Sequence, residues 1–222
     1  MNSPFVDIHT HNAKTDDDLI QIVNLDLNRP CPEQGYYSYG IHPWVLDNPD
    51  FQLEEAFALL GERLQSPNVI ALGEAGLDKM HKESFEQQIA VFERQIELSE
   101  ALQKPMILHD VKSYNEILAL RKKHKTKQPW ILHGFNGTEQ DIQQLTGQGL
   151  ILSIGESLLH SERKIYNSFK FIDLDFLFLE TDMLEVRIET IYEQAAKLLD
   201  IDVAVLQRRL FANFARLFGH NT

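Results

Sequence analysis

Apolar residues recur along the chain in eight short runs, over 5–9, 20–25, 36–41, 69–73, 106–109, 130–133, 150–154 and 176–181. Short runs rich in aliphatic and aromatic side chains, bounded by polar or glycine-bearing segments, read as buried strands. Between the later runs the pattern takes a helical period. The clearest case follows Ser84, where Phe85, Ile89, Phe92, Ile96 and Ser99 share one face and Ser84 with Gln87 spells a capping box. Similar patterns cover 53–64, 114–124, 139–146, 186–199 and 203–218. Strands alternating with helices predict a parallel sheet covered by helices, and eight strands is the number that closes a TIM-type (β/α)8 barrel of the α/β class.

The first quarter departs from this alternation. Residues 10–19 and 26–35 are close to the lower limit of ~10–12 residues for a crossover that contains a helix. The second also carries Pro30 and Pro32, which oppose a helix. The barrel is therefore expected to have its first two outer helices short or missing, with the C-terminal helix covering part of the bare wall. No repeat, low-complexity tract or linker interrupts the chain, so residues 1–222 read as a single domain.

At 43% apolar and 24% charged, a chain of 222 residues is globular and long enough for a substantial core. No apolar run approaches the ~20 residues of a membrane span. No basic segment, apolar stretch and cleavage site precedes the first strand. Cys31 stands alone, which excludes an intrachain disulfide and a cysteine-based zinc site. These features predict a cytoplasmic protein with no membrane attachment, and nothing in them implies a protein partner. The net charge of −12 opposes non-specific attraction to nucleic acid. The one basic run, Arg121 to Lys127, ends a predicted helix, where the backbone dipole favours cations. That helix leads away from the strand ends at which barrels build their sites.

Those strand ends carry the candidate chemistry. His9 and His11 close the first run, Glu74 follows the fourth, His109 closes the fifth, His133 the sixth, and Asp182 follows the eighth. In a parallel barrel the C-terminal ends of the strands meet at one mouth, so these six residues are expected to converge there. His9 and His11, alternate residues on an extended strand, point the same way and can reach one ion. Imidazoles and carboxylates suit Zn2+, Mn2+ or Mg2+, and four imidazoles favour Zn2+ on isolation. Glu74 can bridge two ions with its two oxygens. Asp182 can bind one ion and accept a proton from its water, which a metal turns into a nucleophile near neutral pH. Such a site carries about −2, which two divalent ions would bring to about +2, enough to receive a phosphate.

The chain resembles the TatD-type metal-dependent hydrolases, a branch of the amidohydrolase-like barrels. The resemblance rests on Asp7-Ile8-His9-Thr10-His11, Gly40-Ile41-His42-Pro43, Gly73-Glu74-Ala75-Gly76-Leu77-Asp78, Lys104 to His109, His133-Gly134-Phe135-Asn136-Gly137, Glu180-Thr181-Asp182 and the tail Asn213 to Gly219. It implies divalent-metal hydrolysis, with deoxyribonuclease activity in several members. By resemblance, His9, His11 and Asp182 would hold one ion and His109 and His133 the other, with Glu74 shared. His42 would contact substrate phosphate or support a ligand, and Lys112 is the cation nearest the place where the family commonly has an arginine. That place is Val111 here. Met183-Leu184-Glu185 replaces the family's Pro-Tyr-Leu-like segment, and Trp44 stands where a second histidine is common. These departures touch the substrate shell and leave all six ligands in place.

Trp44 reads first as a packing residue and second as a platform for a base or sugar, and Glu156 follows the seventh strand near the expected mouth. The expected reaction is metal-dependent hydrolysis of a phosphodiester in a small or single-stranded phosphate ester, DNA included. Two other classes share the same ligands: an amide or lactone hydrolase of related fold, and a metal-binding relative without activity.

Overall fold

A computed structural model describes residues 3–219. Its strands are β1 (Phe5–Thr10), β2 (Leu19–Asn24), β3 (Tyr36–Tyr39), β4 (Val69–Asp78), β5 (Met106–Val111), β6 (Trp130–Leu132), β7 (Leu150–Ile154) and β8 (Leu177–Leu179). Their order in the sheet follows the chain from β1 to β8, and the fold class is the expected TIM-type (β/α)8 barrel. The helices are α1 (Leu53–Arg63), α2 (Phe85–Leu102), α3 (Tyr114–His124), α4 (Glu139–Gly147), α5 (Lys164–Ser168), α6 (Ile188–Leu199) and α7 (Val203–Phe218). Residues 11–18 and 25–35 contain no helix, as their length and the prolines at 30 and 32 predict. No helix among the described residues is long and apolar enough to cross a membrane.

The described residues form two compact units, one holding residues 3–23 and 132–219, the other Asn24–Ile131. In the first, β1 pairs in parallel with β2, and β7 with β8. Both α6 and α7 pack on β1 and β8. The periodic apolar residues explain this: Ile191, Tyr192 and Ala195 of α6 and Leu206, Leu210 and Phe214 of α7 are fully buried. Tyr192 also serves the backbone, because its hydroxyl accepts the Val6 N–H and donates to the Val6 carbonyl, both at 3.1 Å.

In the second unit β3 pairs with β4 and β4 with β5, all parallel. Helix α2 packs on β4 through Val91, Phe92 and Ile96, and Phe92 meets Trp130 with ring centroids 5.6 Å apart. Buried Gln95 works as Tyr192 does: its amide oxygen accepts the Ile41 N–H at 2.8 Å and its nitrogen donates to the Ile41 carbonyl at 3.0 Å. The basic run ends α3 as expected. Lys123 and His124 meet Glu93, and the Arg121 guanidinium lies 5.3 Å from the Trp130 ring centre.

The structure corrects two local expectations. Strand β4 does not stop at Gly73 but continues to Asp78. Leu72 is level with Met106 and Ala75 with Leu108, so three steps of β4 oppose two of β5, a bulge at Gly73 and Glu74. Glu74 therefore sits inside its strand rather than beyond it. The second correction concerns α2, which has no capping box: the Ser84 hydroxyl donates instead to Asp47 Oδ1 at 2.7 Å. Ser84 has a helical backbone, φ −93° and ψ 0°, rather than the extended one of a capping serine, and its oxygen accepts from the Gln88 side-chain amide at 3.1 Å. A capping box does form on α4, between Thr138 and Asp141.

Tyr192 generates a stability prediction. Tyr192→Phe keeps the ring and leaves the buried Val6 N–H without its acceptor, so urea unfolding should show a loss of about 1–3 kcal/mol. An unchanged midpoint would mean that Val6 is satisfied elsewhere.

Candidate metal centre

The sequence-predicted ligands fall into one group in each unit. In the first, β1 presents buried His9 and, just past its end, His11. Their rings meet at 5.1 Å between centroids and an 86° angle. Asp182 comes to them because the chain after β8 bonds to β1: the Asp182 N–H donates to the His9 carbonyl and the His11 N–H to the Asp182 carbonyl, each at 2.9 Å. Asp182 has a φ of 51°, a left-handed conformation that Asp adopts at lower cost than most residues. Its Oδ1 lies 3.5 Å from His9 Nε2 and 3.6 Å from His11 Nε2, and its side chain is 41% exposed. His133, past β6, brings its ring to 4.4 Å from that of His9. One ligand atom each from His9, His133 and Asp182 lies within 4.8 Å of the others.

Two buried acids that the sequence reading passed over hold this group from behind. Glu180, 1% exposed, accepts the Gly134 N–H at 2.6 Å and a bond from the Ser153 hydroxyl, and its Oε1 lies 3.6 Å from His133 Nδ1. Asp7 accepts the Thr181 N–H at 3.0 Å and the Thr181 hydroxyl at 2.6 Å. The segment that ends in Asp182 is thereby tied to β1. Glu156 remains exposed; its carboxylate lies 3.5 Å from His160.

The second unit gathers His42, Glu74 and His109, whose ligand atoms also lie within 4.8 Å of one another. The bulge turns Glu74 to where its Oε1 is 2.8 Å from His109 Nδ1 and 3.2 Å from His42 Nε2. Asn24 Oδ1 accepts the Glu74 N–H at 2.9 Å and the Ser38 hydroxyl at 3.0 Å, fixing the bulge from the end of β2. Gly76 is required here: at φ 146° a Cβ would stand 2.1 Å from the His109 carbonyl oxygen. His42, expected to contact substrate phosphate or to support a ligand, thus lies within reach of Glu74 in a group of donor atoms that could hold an ion. Its Nδ1 accepts the Trp44 N–H at 3.2 Å, which orients the ring.

Asp78 is the second unit's unforeseen residue. Only 3% exposed, it accepts the Trp44 indole N–H at 2.8 Å and lies 3.5 Å from His109 Nε2. Burial pushes its carboxyl upward, but bonds from Trp44, the Met80 N–H and His109 outweigh that and hold it below the ordinary carboxylate range. The only available signal was the last residue of Gly73-Glu74-Ala75-Gly76-Leu77-Asp78, which shares the face of Glu74 and Gly76 only if the strand continues. Lys112, one residue past β5 at φ 59°, is exposed.

Both donor sets, imidazole nitrogens with carboxylate oxygens, are of the kind that holds Zn2+ or Mn2+, so the chain carries groups able to bind a divalent metal.

Comparison with known proteins agrees with this chemistry. The TatD related DNase family matches residues 10–219. An uncharacterized metal-dependent hydrolase of Escherichia coli, YjjV, is 28% identical over 150 residues, 66% of this chain and 57% of that protein. A 3'-5' ssDNA/RNA exonuclease TatD of Erwinia tasmaniensis is 29% identical over 168 residues, 71% of this chain and 61% of its own length. The matched region thus spans 57% and 61% of these two relatives. The crystal structure of YjjV from Escherichia coli superposes with a TM-score of 0.83 at 20% identity, covering 98% of both chains. A TatD family hydrolase from Entamoeba histolytica gives a TM-score of 0.76 at 17% identity, covering 98% of this chain and 99% of that one. At those identities the two structures show the fold alone.

Asp7 supplies a pH prediction. Burial lifts its carboxyl to about 7, against the opposing bonds from Thr181. A folded value above that of an ordinary aspartate means that the folded state holds the proton more tightly, so stability falls as pH rises from about 4 to about 7 and the deficit is constant above. In chelator-treated protein the urea midpoint should decline across that window, and Asp7→Asn should flatten the decline.

Proposed function

The chain belongs to the TatD related DNase family, and on that premise we propose that it is a divalent-metal-dependent hydrolase of phosphodiester bonds. The observation that carries this reading is the pair of ligand groups, His9 with His133 and Asp182, and His42 with Glu74 and His109. We assign one ion to each group, Zn2+ on isolation and Mg2+ or Mn2+ as alternatives in assay, with His11 completing the first and Glu74 available to both. Bound divalent ions acidify water and neutralise charge on the attacking and leaving oxygens of a phosphate.

The chain's own residues do the rest. Asp182 is more exposed than the other acids of the two groups, and it takes the proton of the attacking water. His9 and His11, within 3.6 Å of its Oδ1, keep that carboxylate oriented. Glu180 and Asp78, both buried, hold His133 and His109 in place, as outer carboxylates commonly do for ligating histidines.

Substrate follows from charge and from the relatives. Several relatives are named single-stranded DNA or RNA exonucleases and one a deoxyribonuclease. A chain of net charge −12 gains little from a long duplex, whose affinity depends on neutralising many phosphates. We therefore assign small or single-stranded phosphate esters, single-stranded DNA included, with Lys112 the nearest cation in sequence to the His109 strand end. The lone Cys31 suits a reducing, cytoplasmic setting.

Three measurements test this reading. Metal analysis should find two divalent ions per chain, and anomalous scattering should give a peak at each ligand group. A group that stays without a peak at saturating metal would lose its assignment as a metal site. Asp182→Asn should lower turnover on the order of a hundredfold with metal retained, the scale of a lost general base; near-normal turnover removes Asp182 from that role. A short single strand should be cleaved in preference to a long duplex. Preference for the duplex with a steep salt dependence would show that charge steers the substrate otherwise.

A further inference from the structure

Trp44 lies two residues beyond His42 and is 53% exposed. Its ring is nonetheless held. The indole N–H donates to buried Asp78 at 2.8 Å, and the ring meets His42 edge to face at 4.8 Å and 83° and His109 at 5.6 Å and 80°. His81 lies beside it at 5.7 Å and 32°, and is itself bound by Asp47, whose other oxygen takes the Ser84 hydroxyl. An indole that served only packing would bury its faces and leave its N–H edge to find a partner. This one has its polar edge buried and much of its apolar surface in water, while it touches two of the three ligands of one group.

We propose that Trp44 is a nucleobase-stacking platform: an unpaired base of the substrate lies on its exposed face and thereby sets the adjoining phosphodiester at His42, Glu74 and His109. The proposal rests on the phosphodiesterase reading and names the part of the substrate that the site holds besides phosphate. A base is the matching chemistry because every base has a flat π-face, and stacking on a ring fixed in advance orders only one partner. His81 lies beside the indole with its ring inclined by 32°. Beyond it runs a groove of about 710 Å³ lined by Leu46, Asp47, Met80, His81 and Lys82 among others, with room for the rest of the nucleotide. Bases inside a duplex already stack on each other, so the platform favours single strands and frayed ends without reading sequence.

The test separates stacking from chemistry. In chelator-treated protein, which does not turn over, titration with a short oligothymidylate should quench indole fluorescence in the wild type. The signal should vanish in Trp44→Phe, which leaves only buried Trp130. With metal restored, Trp44→Leu should raise KM for the oligothymidylate by about ten- to a hundredfold, the scale of one lost stack. The rise should be at least several times smaller for a strand whose terminal nucleotide is abasic, and Trp44→Phe should recover most of the loss. Equal losses on both strands, or no quenching on binding, would overturn the platform. A wild type that binds and quenches yet cleaves no phosphodiester would keep the platform and sink the hydrolase reading.

Discussion

A carboxylate that is only 6% exposed must be compensated, and the second unit is built around meeting that demand for Glu74. The bulge in β4 turns the residue inward, Asn24 ties its backbone N–H, and His42 and His109 both approach one of its oxygens. Gly76 lets β4 pass close to the His109 carbonyl. None of these features has a purpose alone. A bulge would weaken the sheet, and two histidines beside an acid would be an ordinary buried network. Together they present a carboxylate flanked by imidazoles, which is a divalent-ion donor set.

The same logic of acids behind histidines recurs in the first unit. Glu180 and Asp7 are buried on either side of the turn that carries Asp182, and each spends its oxygens on Thr181, Gly134 or Ser153. The ligand positions are thus held by side chains that never reach solvent, while Asp182 keeps 41% exposure and access to water. That division suits hydrolysis. In the proposed reaction the acids that orient must be rigid, and the acid assigned to exchange a proton must be reachable.

Of the departures from the family pattern, Met183-Leu184-Glu185 follows Asp182 in the first unit, while Trp44 and Val111 lie in the second. Trp44 stands where the resemblance leads one to expect a second histidine, and its N–H reaches Asp78 while its ring lies edge to face with those of His42 and His109. One substitution thereby exchanges a possible cation for an anchored aromatic surface beside the same ligands. In a chain of net charge −12, attraction by flat apolar contact is less penalised than attraction by charge.

The hydrophobic pattern by itself determined the eight strands, most helix positions, the missing early helices and the six ligand candidates, because burial on a strand or helix face leaves a period of two or 3.6 in neighbouring residues. Helices α3 and α7 lie where that period puts them. Local pattern could not show that β4 runs on to Asp78, since glycine and glutamate read as an end when their neighbour strand is unknown. Nor could it show that His42 joins Glu74, that the Ser84 hydroxyl donates to Asp47 without capping its helix, or that Asn24, Asp78 and Glu180 support the ligands. Each of those is a bond between segments distant in the chain, such as the 34 positions separating Trp44 from Asp78. Which polar group finds which partner is decided only when strands lie side by side and burial makes an unpaired one costly.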